Sequence, residues 1–282
     1  MTTYQEKTYT GERSLFGVKN AMIQNVTFGM GESPLKESSH LSISNTIFKW
    51  KYPLWYSSDV KVNHSIFEKM SRSGIWYTND IKVTNSTLEA PKLFRRCRNV
   101  DLENVYFADA AETIWNCDQI NVKDVQARGD YFGMNSKEIV LDNFQLVGNY
   151  AFDGASNIEA HNCTFMSKDA FWNCKNVKLE NCTINGEYLS WNTENLTLIN
   201  CTIESNQGLC YIKHLKMRNC SLLETDLAFE YCSDIDAEIV SDIISVKNPI
   251  SGVIKANHIN EIIQDDKELD SSKIKFIQKE ER

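Results

Sequence analysis

The chain has 282 residues, of which 42% are hydrophobic, and this is enough to build a large folded core. Its 38 acidic and 30 basic residues give a net charge of −8. This excess argues against nucleic acid as a partner, because phosphate binding needs a basic face. No stretch of the chain approaches the roughly 18 consecutive apolar residues that a membrane-spanning helix needs, so we expect no membrane association.

The first segment, residues 1–17, has no apolar core of the kind that a secretory signal contains. The chain also has nine cysteines, an odd number. The simplest interpretation is a cytoplasmic protein of bacterial type with reduced thiols. We expect residues 1–17 to cover the first edge of the fold, because an uncovered strand edge invites pairing with other chains.

One short pattern repeats along the middle of the chain: apolar, any, apolar, any, Asn, small, any, apolar. Clear copies occupy residues 21–28 and 177–184. The Asn position returns after 19 to 21 residues, and His or Asp replaces Asn in two copies. We call this set the Asn column: Asn25, Asn45, His64, Asn85, Asn104, Asp124, Asn143, Asn162, Asn181, Asn200 and Asn219.

Alternation of apolar and variable residues with a period of two is typical of a β-strand. A strand that returns at this spacing must lie on its own previous copy. We therefore predict an all-β, single-stranded, right-handed parallel β-helix, a solenoid of about 12 coils of about 19 residues each. The right-handed form is favoured because the hexapeptide repeat of left-handed β-helices is absent.

The whole chain, residues 1–282, is predicted to be one domain, with an N-terminal cap at 1–17, coils at 18–260 and a C-terminal tail or cap at 261–282. The sequence leaves open whether this tail is a helix or a frayed strand. Asn suits the sharp corners between strands, because it tolerates the left-handed backbone region. A column of Cys163, Cys182, Cys201 and Cys220 is interpreted as small, buried core residues.

Five of the six tryptophans stand five positions before a strand start, and each of these five is followed by Tyr or Asn. In one coil Arg95 and Arg96 occupy the same two positions. Strand alternation places these residues on the outside of the coils. Aromatic rings beside amide and guanidinium groups suit sugar rings and other flat polar ligands. We call this surface the aromatic stripe and predict that it binds ligand through Trp55, Tyr56, Trp76, Tyr77, Arg95, Trp115, Asn116, Asp153, Trp172, Asn173, Trp191 and Asn192.

The Asn-containing coils resemble the right-handed β-helices of the pectate-lyase-like superfamily over residues 15–260. The Asn-Cys-Thr elements, as at residues 162–164, and the Phe-Trp-Asn-Cys element at 171–174 are similar to those of a bacterial family, domain-of-unknown-function family 3737. The resemblance implies the same fold and no assigned activity. The paired aspartates and Gly-His-Gly motif of polygalacturonases are absent, so no catalytic residue is predicted.

The favoured hypothesis is a non-catalytic binding module that holds a carbohydrate-like ligand along the aromatic stripe. One alternative is a carbohydrate-active enzyme, a glycosidase or lyase, with a minimal site at Asp153 and further carboxylates at Asp130, Asp169 and Glu187. Another alternative is a scaffold protein that forms a homodimer through the stripe. The five histidines form no metal-binding motif, so neither a metal site nor a cofactor is expected.

Overall fold

The computed structural model describes residues 1–279 and divides into two compact units, Met1–Leu146 (unit 1) and residues 147–282 (unit 2). The described residues form parallel β-strands and two short 3₁₀ helices, Lys69–Ser71 and Ser271–Lys273, and contain no α-helix. This architecture is a parallel β-solenoid, so the predicted fold class is confirmed. Residues 280–282 of the predicted tail lie outside the described residues.

Unit 1 consists of long strands joined by tight corners to shorter ones. Its strands are β1 (Thr2–Gln5), β2 (Thr8–Tyr9), β3 (Lys19–Gln24), β4 (Thr27–Phe28), β5 (Ser39–Ser44), β6 (Ile47–Phe48), β7 (Ser58–Asn63), β8 (Ile66–Phe67), β9 (Ile75–Trp76), β10 (Asn79–Leu88), β11 (Phe94–Arg95), β12 (Arg98–Phe107), β13 (Asp118–Arg128) and β14 (Lys137–Val147).

Each long strand of unit 1 pairs in parallel with its copy one coil away, and equivalent residues lie in register. Ile81 of β10 faces Val100 of β12, for example, and both side chains are buried. The next residue along each strand points outward, as strand alternation requires. Like side chains therefore form columns along the coils, which is what positions the aromatic stripe.

Unit 2 repeats the same arrangement. Its strands are β15 (Ser156–His161), β16 (Thr164–Met166), β17 (Lys175–Glu180), β18 (Thr183–Asn185), β19 (Glu194–Ile199), β20 (Thr202–Glu204), β21 (Lys213–Leu223), β22 (Ser233–Ile239), β23 (Ile243–Lys247), β24 (Gly252–Ala256), β25 (Ile259–Ile263) and β26 (Ile274–Gln278). The parallel pairing continues to β26, which lies on β24 and pairs Ile274 with Gly252.

The described residues contain about 15 turns, so the expected count of about 12 was too low. The additional turns lie at the two ends of the chain, where the Asn signature is missing. In the first turn β1 pairs with β3, and Glu6 occupies the left-handed corner that Asn takes elsewhere. The division into caps and coils, like the handedness of the coils, stays a prediction.

The Asn column forms corners, as predicted, because its residues adopt left-handed backbone conformations. In unit 2, φ is 57° at Asn162, 55° at Asn181 and 52° at Asn200. The amide Nδ2 of Asn200 donates to Oδ1 of Asn181 at 3.1 Å, and Asn219 donates to Asn200 at 2.9 Å. This ladder of side-chain amides ties together the successive coils that contain Asn181, Asn200 and Asn219.

A second column of left-handed residues, one position before the inward-facing start of each long strand, was not predicted. Asn176 donates from Nδ2 to Oδ1 of Asn157 at 2.7 Å, and Asn195 donates to Asn176 at 2.9 Å. All three have φ between 55° and 60°. The recurrence of Asn, Asp and His at this position in the sequence is the signal that could have found it.

The core consists of inward columns of apolar side chains. In unit 1 the ring of Phe48 is fully buried and lies between Phe28 at 5.2 Å and Phe67 at 4.5 Å. In unit 2 the predicted cysteine column is buried, and all nine cysteines of the chain are free thiols. These columns pack like the interior of any globular domain and hold the outer residues at fixed spacing.

Candidate functional site

The inner row of the aromatic stripe in unit 1 is a continuous stack of flat side chains, formed by Trp55, Trp76, Arg95 and Trp115. The rings of Trp55 and Trp76 stack with centroids 5.3 Å apart and an interplanar angle of 7°. The guanidinium of Arg95 lies 4.6 Å from the ring centroid of Trp76 and 4.6 Å from that of Trp115. The in-register coil spacing of about 4.8 Å produces this contact, because it nearly matches the distance between stacked rings.

The three indoles of this stack are also anchored through their N–H groups. Trp76 Nε1 donates to the carbonyl of Lys92 at 2.9 Å, and Trp115 Nε1 donates to that of Tyr131 at 2.6 Å. Trp55 Nε1 donates to the carbonyl of Ser73 in the same way. The three tryptophans are half-buried, and Trp76 has both faces covered, by Trp55 and by Arg95, so that it presents its edge to solvent.

Arg95 is the electrostatic centre of this row. Its guanidinium lies 3.6 Å from a carboxylate oxygen of Glu112, which also forms an ion pair with Lys92 at 3.0 Å. The Arg95 side chain is only 22% exposed, and no acceptor among the described residues reaches its Nε. The cation is thus held by rings and one carboxylate, which fixes its position more firmly than a surface ion pair would.

The outer row of the stripe in unit 1 contains Tyr56, Tyr77, Arg96 and Asn116, and every one of them has a positive φ, between 51° and 58°. The rings of Tyr56 and Tyr77 stack at 4.8 Å with an interplanar angle of 3°. Arg96 covers the far face of this pair, and its Nη1 donates to the Tyr77 hydroxyl at 3.4 Å. Tyr56 is 50% exposed, so hydroxyl, guanidinium and amide groups form the outermost surface.

In unit 2 the stripe begins with a shorter row of rings. Trp172 and Trp191 lie 5.9 Å apart with an interplanar angle of 37°, and Tyr211 continues the row 4.8 Å from Trp191. Trp172 Nε1 donates to the carbonyl of Tyr188 at 2.6 Å. Tyr211 was not among the predicted binding residues, although it follows Cys210 at the position where Tyr56 and Tyr77 follow tryptophans.

The outer row in unit 2 is an amide ladder. Asn192 Nδ2 donates to Oδ1 of Asn173 at 2.9 Å, and Asn173 Nδ2 donates to Oδ1 of Asp153 at 2.9 Å. Asn173 and Asn192 are exposed. Asn173 therefore keeps one amide hydrogen and one lone pair that the ladder does not use, and Asn192 keeps one amide hydrogen and both lone pairs of Oδ1. Asp153 serves here as the terminal acceptor of the ladder.

The other carboxylates considered from the sequence have different surroundings. Asp169 is 2% exposed, receives a hydrogen bond from Tyr150, and has one buried oxygen to which no group among residues 1–279 donates a hydrogen bond. Burial raises the pKa of Asp169. Glu187 is half-exposed and pairs with Lys168 at 2.9 Å. Asp130 belongs to unit 1, whereas Asp169 and Glu187 belong to unit 2.

Nowhere in residues 1–279 do three or more His, Cys, Asp or Glu side chains converge as the ligands of a metal ion would. The same part of the chain contains no helix with the length and apolar character that a bilayer crossing requires.

Comparison with known sequences identifies a family. The model of the family described as protein of unknown function (DUF3737) matches residues 2–277, nearly the whole chain. No curated protein matches the chain.

Several solved structures are similar in fold. The A-module of mannuronan C-5 epimerase AlgE4 from Azotobacter vinelandii is 13% identical, with 84% of this chain and 88% of that chain covered and a TM-score of 0.42. PfbA, a surface adhesin of Streptococcus pneumoniae, is 14% identical, with 77% and 63% covered and a TM-score of 0.35. The catalytic domain of a GH87 alpha-1,3-glucanase is 9% identical, with 98% and 58% covered and a TM-score of 0.25.

Proposed function

We propose that this chain, which belongs to the family of proteins of unknown function DUF3737, is a non-catalytic binding module for a carbohydrate-like ligand. The ligand lies along the aromatic stripe and contacts its outer row. In unit 1 this row is Tyr56, Tyr77, Arg96 and Asn116, and the inner row of Trp55, Trp76, Arg95 and Trp115 supports it. In unit 2 the corresponding surface is formed by Asp153, Trp172, Asn173, Trp191 and Asn192.

The observation that carries this proposal is the backbone of the outer row. Tyr56, Tyr77 and Arg96 have φ of 54°, 58° and 51°, a region that costs a bulky L-residue about 1 kcal/mol or more. Asn116 occupies the next position of the row with φ 52°, and Asn accepts this conformation more readily. Bulky side chains thus occupy positions where Asn would be less strained, and this indicates that they have a role other than folding.

The chemistry of the row suits a polyhydroxylated ligand. Ring faces are taken up by stacking, so a ligand meets ring edges together with the Tyr56 hydroxyl, the Arg96 guanidinium and the Asn116 amide. These groups offer both donors and acceptors, as sugar hydroxyls require. The stacked rings are already ordered, and this lowers the entropy that a ligand must overcome when it binds.

A glycan array tests the proposal with variants that remove the backbone strain of the outer row. Tyr56→Asn and Arg96→Asn replace the side chain by the residue that the corner prefers, so we expect their thermal midpoints to stay within a few degrees of the parent. We expect each to weaken binding of the best glycan at least tenfold. Val140→Ala is the matched control, because Val140 is an outward strand residue of unit 1 that lies outside the stripe.

Two results would contradict the proposal. One is that the unmodified chain binds no glycan on an array of neutral, amino and acidic sugars. The other is that both Asn variants retain full binding. Light scattering on the same proteins separates the alternative of a homodimer scaffold: a dimer that dissociates in Tyr56→Asn would assign the stripe to self-association instead.

Asp169 favours a second candidate function, a carbohydrate-active enzyme. A buried carboxyl whose pKa is raised, beside Glu187, which pairs with Lys168, resembles the unequal carboxylates of glycosidases. Release of reducing ends from a polysaccharide panel tests it. The enzyme hypothesis requires release from at least one polysaccharide and its loss in Asp169→Asn; a panel without any release excludes it.

A further inference from the structure

A groove on unit 1, separate from the aromatic stripe, has the features of a second ligand site. Its volume is about 490 Å³, within the range of small-molecule sites. It runs across four successive members of the Asn column and the outward residues beside them. The lining residues are His64, Asn85, Ser86, Thr87, Asn104, Val105, Tyr106, Asp124 and Gln126.

The groove coincides with a break in the amide ladder of the Asn column. Asn104 Nδ2 donates to Oδ1 of Asn85 at 2.7 Å, so the ladder is intact between these two coils. The next member is Asp124, whose carboxylate has no hydrogen to donate and instead accepts from Asn143 at 2.7 Å. No donor within residues 1–279 therefore reaches Oδ1 of Asn104, and two acceptors from neighbouring coils adjoin each other.

His64 interrupts the column at the other end of the groove. Asn85 Nδ2 donates at 2.9 Å to Asn63, the residue beside His64, so the ladder bypasses the imidazole. The exposed His64 side chain makes no hydrogen bond or ion pair within the described chain. The only two members of the Asn column that are not Asn thus bound the same groove, and each leaves polar atoms of the column without partners.

Tyr106 supplies an aromatic surface beside these polar groups. It is 44% exposed, and no aromatic ring or cation among the described residues packs on it. Its neighbours in register are Thr87 and Gln126, which are smaller or more flexible than a ring. Tyr106 differs in this respect from Tyr77, whose ring is covered on both faces.

We propose that this groove binds a neutral oligosaccharide. Sugar hydroxyls donate to Oδ1 of Asn104 and to the Asp124 carboxylate, and they accept from the unused amide hydrogens of Asn85 and Gln126. The apolar face of a sugar ring packs on Tyr106. The lining contains a carboxylate and no Lys or Arg, which disfavours acidic sugars. The proposal does not depend on ligand binding at the aromatic stripe.

Calorimetric titration tests this site with cellohexaose, mannohexaose, xylohexaose and maltohexaose as neutral probes and hexagalacturonate as the acidic one. We expect at least one neutral hexasaccharide to bind, with hexagalacturonate at least tenfold weaker. Tyr106→Ala should weaken binding at least tenfold, whereas Tyr106→Phe, which keeps the ring, should stay within threefold. Val140→Ala, equally exposed at 44%, is the control and should bind normally.

The outcomes separate this site from the stripe. Loss of binding in Tyr106→Ala with full binding in Tyr56→Asn supports the groove. Full binding in Tyr106→Ala with loss of binding in Tyr56→Asn overturns the groove proposal and supports the proposed function of the stripe. If none of the four neutral hexasaccharides binds at millimolar concentration, the groove proposal is likewise overturned.

Discussion

The Arg95→Met variant provides a direct test of the stacked inner row. Methionine is unbranched and apolar like the Arg95 stem, so it fills much of the space between Trp76 and Trp115 without the charge. The guanidinium lies 4.6 Å from each of these two ring centroids. The substitution therefore removes two cation–π contacts and one ion pair, with Glu112 at 3.6 Å, while it conserves most of the packing.

The expected loss of stability is about 2 kcal/mol. A cation–π contact contributes about 0.5–1 kcal/mol at an exposed site and about 2 kcal/mol when desolvated, and the Arg95 side chain is 22% exposed. Glu112 keeps its pair with Lys92, so the lost ion pair adds less than about 1 kcal/mol. The substitution also removes the buried Nε of Arg95, which has no hydrogen-bond partner, and this offsets part of the lost stability.

Urea unfolding of Arg95→Met, Trp115→Leu and the double variant measures the interaction as a coupling free energy. We expect a coupling of about 1 kcal/mol between the two residues. Lys175→Met, which removes an exposed cation from an ion pair with Glu194, is the control and should change stability by less than about 0.5 kcal/mol. Additive single effects, or an Arg95→Met variant as stable as the parent, would refute the stacking argument.

Three further predictions concern the core, a corner and the thiols. Phe48→Ala should cost about 3–5 kcal/mol in chemical unfolding, because the ring is fully buried within a stack; a loss below about 1 kcal/mol would contradict this packing. Gly252→Ala should destabilise the chain by at least about 2 kcal/mol in the same assay, because the φ of Gly252 is 122° and an added Cβ would lie 2.1 Å from the Ile235 carbonyl oxygen. Unchanged stability would contradict this close approach of the Gly252 and Ile235 backbones. All nine cysteines are buried, so a thiol reagent should label none of them in the native chain at pH 8 and all of them after unfolding. Hydrogen bonding to Cys182 and burial raise the pKa of Cys201 to about 11. The unfolded thiol ionises near pH 8.5, so the contribution of Cys201 to stability is complete below that pH and declines toward pH 11, and Cys201→Ala should flatten this decline.

The coil architecture could be predicted because one corner of the coil demands a particular residue type. A left-handed corner selects Asn, and a ladder of amides preserves it from coil to coil, so the Asn column is visible in the sequence. The terminal turns escaped prediction because their corners use other residues, such as Glu6 with φ 50°. There the strand pairing itself, and not a corner residue, continues the coil.

The composition of the aromatic stripe was predictable, whereas its geometry was not. The alternation of residues placed Trp76 and Trp115 outside the core, and both are indeed half-exposed. Alternation carries no information on ring orientation, which depends on contacts between coils. The parallel register stacks Trp76 between Trp55 and Arg95 and directs its indole N–H to a neighbouring carbonyl, so the edge of this ring and not its faces meets the solvent.

The polar groove illustrates a different limit. His64 and Asp124 were interpreted from the sequence as conservative replacements for Asn at a left-handed corner, and their φ values of 47° and 53° agree with that. Their consequence for the amide ladder depends on which side-chain atoms donate and accept. That information appears only once the neighbouring coils are placed against each other.

A crystal structure of the chain with its strongest-binding glycan would test the central claim most directly. We expect the glycan to lie along the outer row of the stripe in unit 1, with hydrogen bonds to Arg96 and Asn116 and with contact to the edges of Tyr56 and Tyr77. A glycan bound only at other surfaces, with these four side chains still in contact with solvent, would contradict the claim.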